Sequence, residues 1–218
     1  MSMRIHRWLA GLALILGGLM ATFSHLITSD IPADPALLET YTRTSEPLHL
    51  LLFAGGILVL LGWFGHYALQ SSASGVSGLA AFLSIFLGIL LGDLLHCVLE
   101  FSIFPILTTL APYALPALED TCYRLTPFAD LLRIGGYLIA AGVPATVFWL
   151  LRSHSLPRWS AMPFAGAAAL LGLAMVPGLA SSFRPLSLAA LYVSMAALGV
   201  AVMRSNYRIG PQSAMRQK

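Results

Sequence analysis

Six apolar stretches constrain this chain more than any other feature. About 30 Å of hydrocarbon, at 1.5 Å per helical residue, is crossed by about 20 residues. Trp8–Thr28, Pro47–Leu69, Val76–Leu99, Ala129–Leu151, Ala161–Ala180 and Pro185–Met203 all meet that length. Lipid offers no hydrogen-bond partners, so each stretch has to satisfy its own backbone as a helix. Charged residues make up only 10% of the sequence, against about 25% in soluble domains. The expected fold is therefore all-α, a polytopic membrane helical bundle with six transmembrane helices. Residues 1–204 form its single domain and 205–218 a basic cytoplasmic tail.

The connections carry their own expectations. The first stretch is too long for a signal-peptide core and no small-x-small cleavage site follows it, so it reads as an uncleaved first helix. Ser71–Ser77 reads as a short flexible turn. Ser181–Arg184 reads as the tight turn of a hairpin between the last two helices. Pro47 and Pro185 suit first-turn positions, where a missing N–H costs nothing. Ile103–Leu118 holds Pro105, Pro112 and Pro116, so it is expected as an interfacial or re-entrant cap rather than a span. A seventh crossing there would move the C-terminus to the other side.

Charge sets the orientation. With the N-terminus inside, Arg4, Arg7, Arg152, Arg158, Arg204, Arg208, Arg216 and Lys218 are cytoplasmic. Arg43, Arg124, Arg133 and Arg184 are outside, together with every carboxylate outside or in the outer half of a helix. This is the positive-inside pattern, with both termini cytoplasmic. The basic pI thus reports topology and contact with the lipid bilayer, and gives no ground for nucleic-acid binding. Trp8, Trp63, Trp149 and Trp159 fall near the cytoplasmic boundary, as an aromatic belt would. Gly55–Gly56 and Gly135–Gly136 permit close helix contact.

The candidate chemistry lies at one depth near the outer face. His25, His49 and His96 fall near the outer ends of helices one, two and three. Glu46 and Asp93 precede two of these by three residues, and Glu100 follows His96 by four, which places each pair on one helix face. Ionisable groups in a membrane usually face the bundle interior, a cavity or a partner. His25, His49 and His96 would suit a transition metal ion with one open position. Two of them, His25 and His49, would suit haem b. Asp93 is the deepest acid, and Arg133 or a histidine is its candidate partner. Asp93 and Glu100 are candidates for acid and base. Asp130 and Arg133 are expected as a local ion pair, and His6, His66 and His154 as structural. Cys97 and Cys122 lack CxxC spacing; a disulfide and two reduced thiols both remain open.

No HExxH, GxGxxG, Walker or GxSxG sequence is present, and no lysine lies within a span. The runs LAGLALILGGLMATFSHL and EPLHLLLFAGGILVLLGWFGHYALQ, with LPRWSAM before helix five, resemble small uncharacterised bacterial six-helix integral membrane proteins. The shared positions are His25, His49 and Pro157–Trp159, whereas GDLLHCVLEF departs from that pattern. The resemblance implies a bacterial plasma (inner) membrane and a six-helix bundle, and no activity. Three functions stay open. One is a haem b or metal protein for electron transfer, with a quinone or periplasmic partner. A second is a metal- or acid/base-dependent enzyme on a lipid or isoprenoid. The third is a transporter or an accessory subunit of a membrane complex.

Overall fold

A computed structural model describes residues 3–28, 32, 34–110, 126–152, 156–176 and 178–205. Among these residues the chain is helical, with no strand. The helices are α1 (Met3–Ile27), α2 (Leu38–Ser71), α3 (Ser74–Leu110), α4 (Pro127–Arg152), α5 (Met162–Ala174) and α6 (Ala180–Arg204). Of these, α1, α2, α3, α4 and α6 are long and apolar enough to cross a membrane.

Each helix packs on the next in sequence, and α6 closes the ring on α1. Trp63, Phe82, Ile85, Ile89, Trp149, Phe164 and Tyr192 fill the interior. The surface is inverted relative to a soluble protein. On α1, Leu9, Leu12, Leu16, Leu19, Phe23 and Leu26 form an exposed stripe at helical spacing, while Ala10, Gly11, Leu14, Gly17, Gly18, Ala21 and Ser24 face inward. In lipid, apolar burial gives helices little reason to associate, so close packing of small residues supplies it. A Cβ at Gly17 would meet the Gly55 carbonyl oxygen at 2.5 Å and the Val59 nitrogen at 2.7 Å. Gly135 makes the matching approach to Gly92, with the Gly92 Cα at 2.7 Å, whereas Gly136 faces open space. Gly17→Ala is therefore expected to cost about 1–3 kcal/mol through overpacking, read as earlier thermal unfolding in detergent. Gly136→Ala serves as the neutral control, and equal melting of the two variants would refute this account of the α1–α2 contact.

The arrangement alters several sequence expectations. The fifth span was expected over Ala161–Ala180, but α5 stops at Ala174, and its 13 residues rise only about 20 Å. A turn with Gly178 at φ +87° follows, and α6 begins at Ala180. The hairpin thus turns before Ser181–Arg184, which belongs to the first turns of α6, and Pro185 lies inside that helix. Pro47 likewise lies inside α2, which starts at Leu38. Ser71–Ser77 is mostly helical, with the reversal concentrated at Gly75, at φ +56°. Ile103–Leu118 is no separate cap as far as Leu110, because α3 runs through it; residues 111–118 lie outside the described residues. There Phe104 packs against Leu38 and the Thr42 and Thr108 hydroxyls meet at 3.0 Å. Only Trp8 and Trp159 face outward; Trp63 and Trp149 pack edge to face in the core, 5.8 Å apart. Arg7 donates a hydrogen bond to the Ser205 carbonyl, which sets the two ends of the described chain side by side. The tail from residue 206 onward is outside the described residues.

Candidate metal and acid–base site

α3 organises the site through two breaks in its own helical ladder. The Leu95 N–H reaches back five residues to the Leu90 carbonyl, and the Phe104 N–H reaches five back to Leu99. Each wide π turn inserts one residue, which rotates the chain beyond it by about 100° relative to a continuous α-helix. The turn Leu90–Leu94 carries Asp93, and the turn Leu99–Ile103 carries Glu100. Both have local causes. Gly92 lies in the first turn, against the Gly135 backbone. Pro105 follows the second, and its ring would clash with the Phe101 carbonyl in a regular α-helix.

Asp93 points across the ring. It accepts a hydrogen bond from the Tyr192 hydroxyl of α6 at 2.6 Å, and His25 Nε2 of α1 lies 3.4 Å from the same oxygen. The His25 ring stacks on Tyr192, with centroids 5.5 Å apart. The partner of Asp93 is thus a histidine, as one of the two expectations had it. Arg133 turns instead to Asp130 at 3.1 Å, the local ion pair expected of them.

The second group is a turn further along α3. His96 and Glu100, four apart, approach to 3.8 Å, and the His49 ring of α2 meets the His96 ring edge to face, with centroids 5.5 Å apart. One ligand atom from each of His49, His96 and Glu100 lies within 4.8 Å of the others. His49 Nδ1 is 2.9 Å from the Ser45 carbonyl, which can only accept, so Nδ1 carries the proton and Nε2 presents its lone pair. The two groups are neighbours in depth, because Ser24 donates to the Leu48 carbonyl and so levels His25 with His49. The ligand-type atoms that the structure groups are thus those of His49, His96 and Glu100, while His25 Nε2 lies 3.4 Å from Asp93.

Sequence reasoning missed Tyr192, which looks like an ordinary aromatic residue in an apolar span. It also missed the π turns, although Gly92 and Pro105 were their visible signals. Glu46 is half-buried and stands outside both groups. His66 is buried between Trp63 and Trp149 at the other end of the bundle. Cys97 is buried in the core, while Cys122 lies outside the described residues.

Apolar helices of membrane length, an outward face of large apolar side chains and buried ionisable groups define a multi-pass α-helical membrane protein. Comparison with protein-family profiles, with curated proteins and with solved structures gave no match.

Proposed function

We propose that the protein is a bacterial inner-membrane, metal-dependent enzyme, in which His49, His96 and Glu100 hold one divalent transition-metal ion. The observation that carries this is the convergence of three ligand-type atoms within 4.8 Å, with the His49 tautomer set for coordination. Ligands of a tetrahedral zinc ion stand about 3.4 Å apart, so closing the site requires movements of about an ångström. Two histidines and a carboxylate leave a coordination position open, the arrangement of catalytic zinc and of non-haem iron centres. A metal ion there would supply a Lewis acid and an activated water for hydrolysis. Asp93, which faces Tyr192 and His25 one turn before His96, is the candidate to exchange a proton with that water. Depth in the bundle favours a substrate that arrives from the bilayer, a lipid or isoprenoid.

Between haem b and a metal ion, the packing favours the ion. The His49 and His96 rings are in contact, which leaves no slot for a macrocycle between them, and Tyr192 covers one face of His25. The test is elemental analysis and an absorption spectrum of the purified protein. About one zinc or iron per chain without a Soret band supports the reading; a Soret band, or no bound metal, overturns it.

The same reading takes six crossings with both termini in the cytoplasm. In support, the chain alternates direction from α1 to α6, and Arg7 meets Ser205 at one end. α5 and the tight turn Arg158–Ala161 before it together rise about 28 Å, close to the hydrocarbon thickness. Single-cysteine labelling is expected to place positions 152 and 204 on the same, cytoplasmic, side. Labelling from opposite sides would refute the six-crossing arrangement.

A further inference from the structure

Arg184 differs from Arg43 and Arg133, the other arginines described at its end of the bundle, which pair with Glu39 and Asp130. It is exposed near the start of α6, and no carboxylate among the described residues pairs with it. The hydrogen bond from Tyr192 to Asp93 fixes the register of α6 against α3. From that level, Arg184 lies eight residues toward the end of the bundle, about 12 Å, and Glu100 lies seven residues the same way, about 10 Å. The backbone at Arg184 is therefore level with the ligand group, and the Tyr192–Asp93 hydrogen bond ties the two helices together about two turns away. Its neighbour in the next turn, Ser187, bonds back to the Arg184 carbonyl and holds the backbone there helical.

A cation at the level of an open coordination position selects for negative charge. Guanidinium geometry matches phosphate oxygens two at a time, with charge-assisted hydrogen bonds. We propose that Arg184 is the anion anchor of this site, and that it binds a phosphate group of the ligand while a neighbouring part of the ligand reaches His49, His96 and Glu100. This rests on the metal-site reading and gives it a substrate class, a phosphate-bearing molecule. The phosphate can belong to an amphiphile headgroup or be free in solution.

The test uses the full chain in a non-ionic detergent, loaded with Co(II). Dodecyl phosphate and inorganic phosphate are titrated separately, and both calorimetry and the Co(II) absorption bands are followed. Saturable binding that shifts the Co(II) bands is expected. Arg184→Gln should weaken it at least tenfold while the phosphate-free Co(II) spectrum stays unchanged, and Arg184→Lys should restore part of the loss. Arg133→Gln, at the same end of the bundle, should bind as the parent does. Tighter binding of dodecyl phosphate than of inorganic phosphate supports an amphiphile as the source, and equal binding supports free phosphate. Undiminished binding in Arg184→Gln overturns the anchor. A chain that takes up no Co(II) overturns the metal reading, and the calorimetric comparison on that metal-free protein still decides Arg184 by itself.

Discussion

Alanine at His49 or His96, or glutamine at Glu100, is expected to lower metal affinity at least about 100-fold, beyond the 10–100-fold loss typical of removing an outer-shell partner. Each change removes one of the three ligand atoms that lie within 4.8 Å of one another. His25→Ala is expected to leave the bound metal in place, because His25 Nε2 faces Asp93 at 3.4 Å rather than the ligand group. Competition titration with a chromophoric chelator reads both results. Loss of metal from His25→Ala, with retention in Glu100→Gln, would restore the all-histidine set and refute the one described above. The carboxylate bears on the metal proposal electrostatically as well. Glu100 is buried in a membrane-length helix, and the cost of a charge at a helix centre on insertion scales, about 2.5–3.5 kcal/mol, is an upper bound for it near the outer end. A divalent cation held there would offset that cost directly.

The second large effect is on stability. Asp93→Leu removes the acceptor of the Tyr192 hydroxyl and the group facing His25. A buried polar group left without a partner costs about 1–3 kcal/mol, and the orphaned Tyr192 hydroxyl should cost that much here. Asp93→Asn keeps an oxygen toward Tyr192 and should lose less. Tyr192→Phe added to Asp93→Leu should recover part of the loss, because the orphaned hydroxyl is then gone. Unfolding in mixed micelles measures all three. If Asp93→Leu matches the parent, the contact between α3, α1 and α6 contributes nothing to stability and Asp93 loses its structural role.

The helices were legible in the sequence because membrane length and apolarity are nearly a definition of a spanning helix. Their ends were not. α2 and α3 run past the hydrocarbon through Leu38 and Leu110, where Leu38–Phe104 and Thr42–Thr108 contacts extend the hairpin. Nothing in local hydropathy marks such contacts. Prolines misled in opposite ways: Pro47 and Pro185 looked like starts but lie inside helices, and Pro105 looked like a break but is absorbed by a π turn. At the site, spacing correctly paired His96 with Glu100, since those residues share one helix. It could not assign His25 to Asp93, or His49 to His96, since those pairings depend on how α3 is wound between its two π turns. Tyr192 lies 99 residues from Asp93, and no periodicity connects them.

The ring order bears on how the protein is made. Each of α2 to α5 packs on the helix synthesised before it, so a chain emerging from the ribosome can settle these contacts as it enters the membrane. α1 is the exception. Its inward face must meet α6 as well as α2: a Cβ at Gly18 would sit 2.5 Å from the Tyr192 carbonyl oxygen, and the neighbouring Thr22 hydroxyl lies 3.4 Å from that of Ala189. The first helix to be inserted therefore waits with one side unmatched until the last arrives, and this long-range closure is the slow step expected of an otherwise sequential assembly.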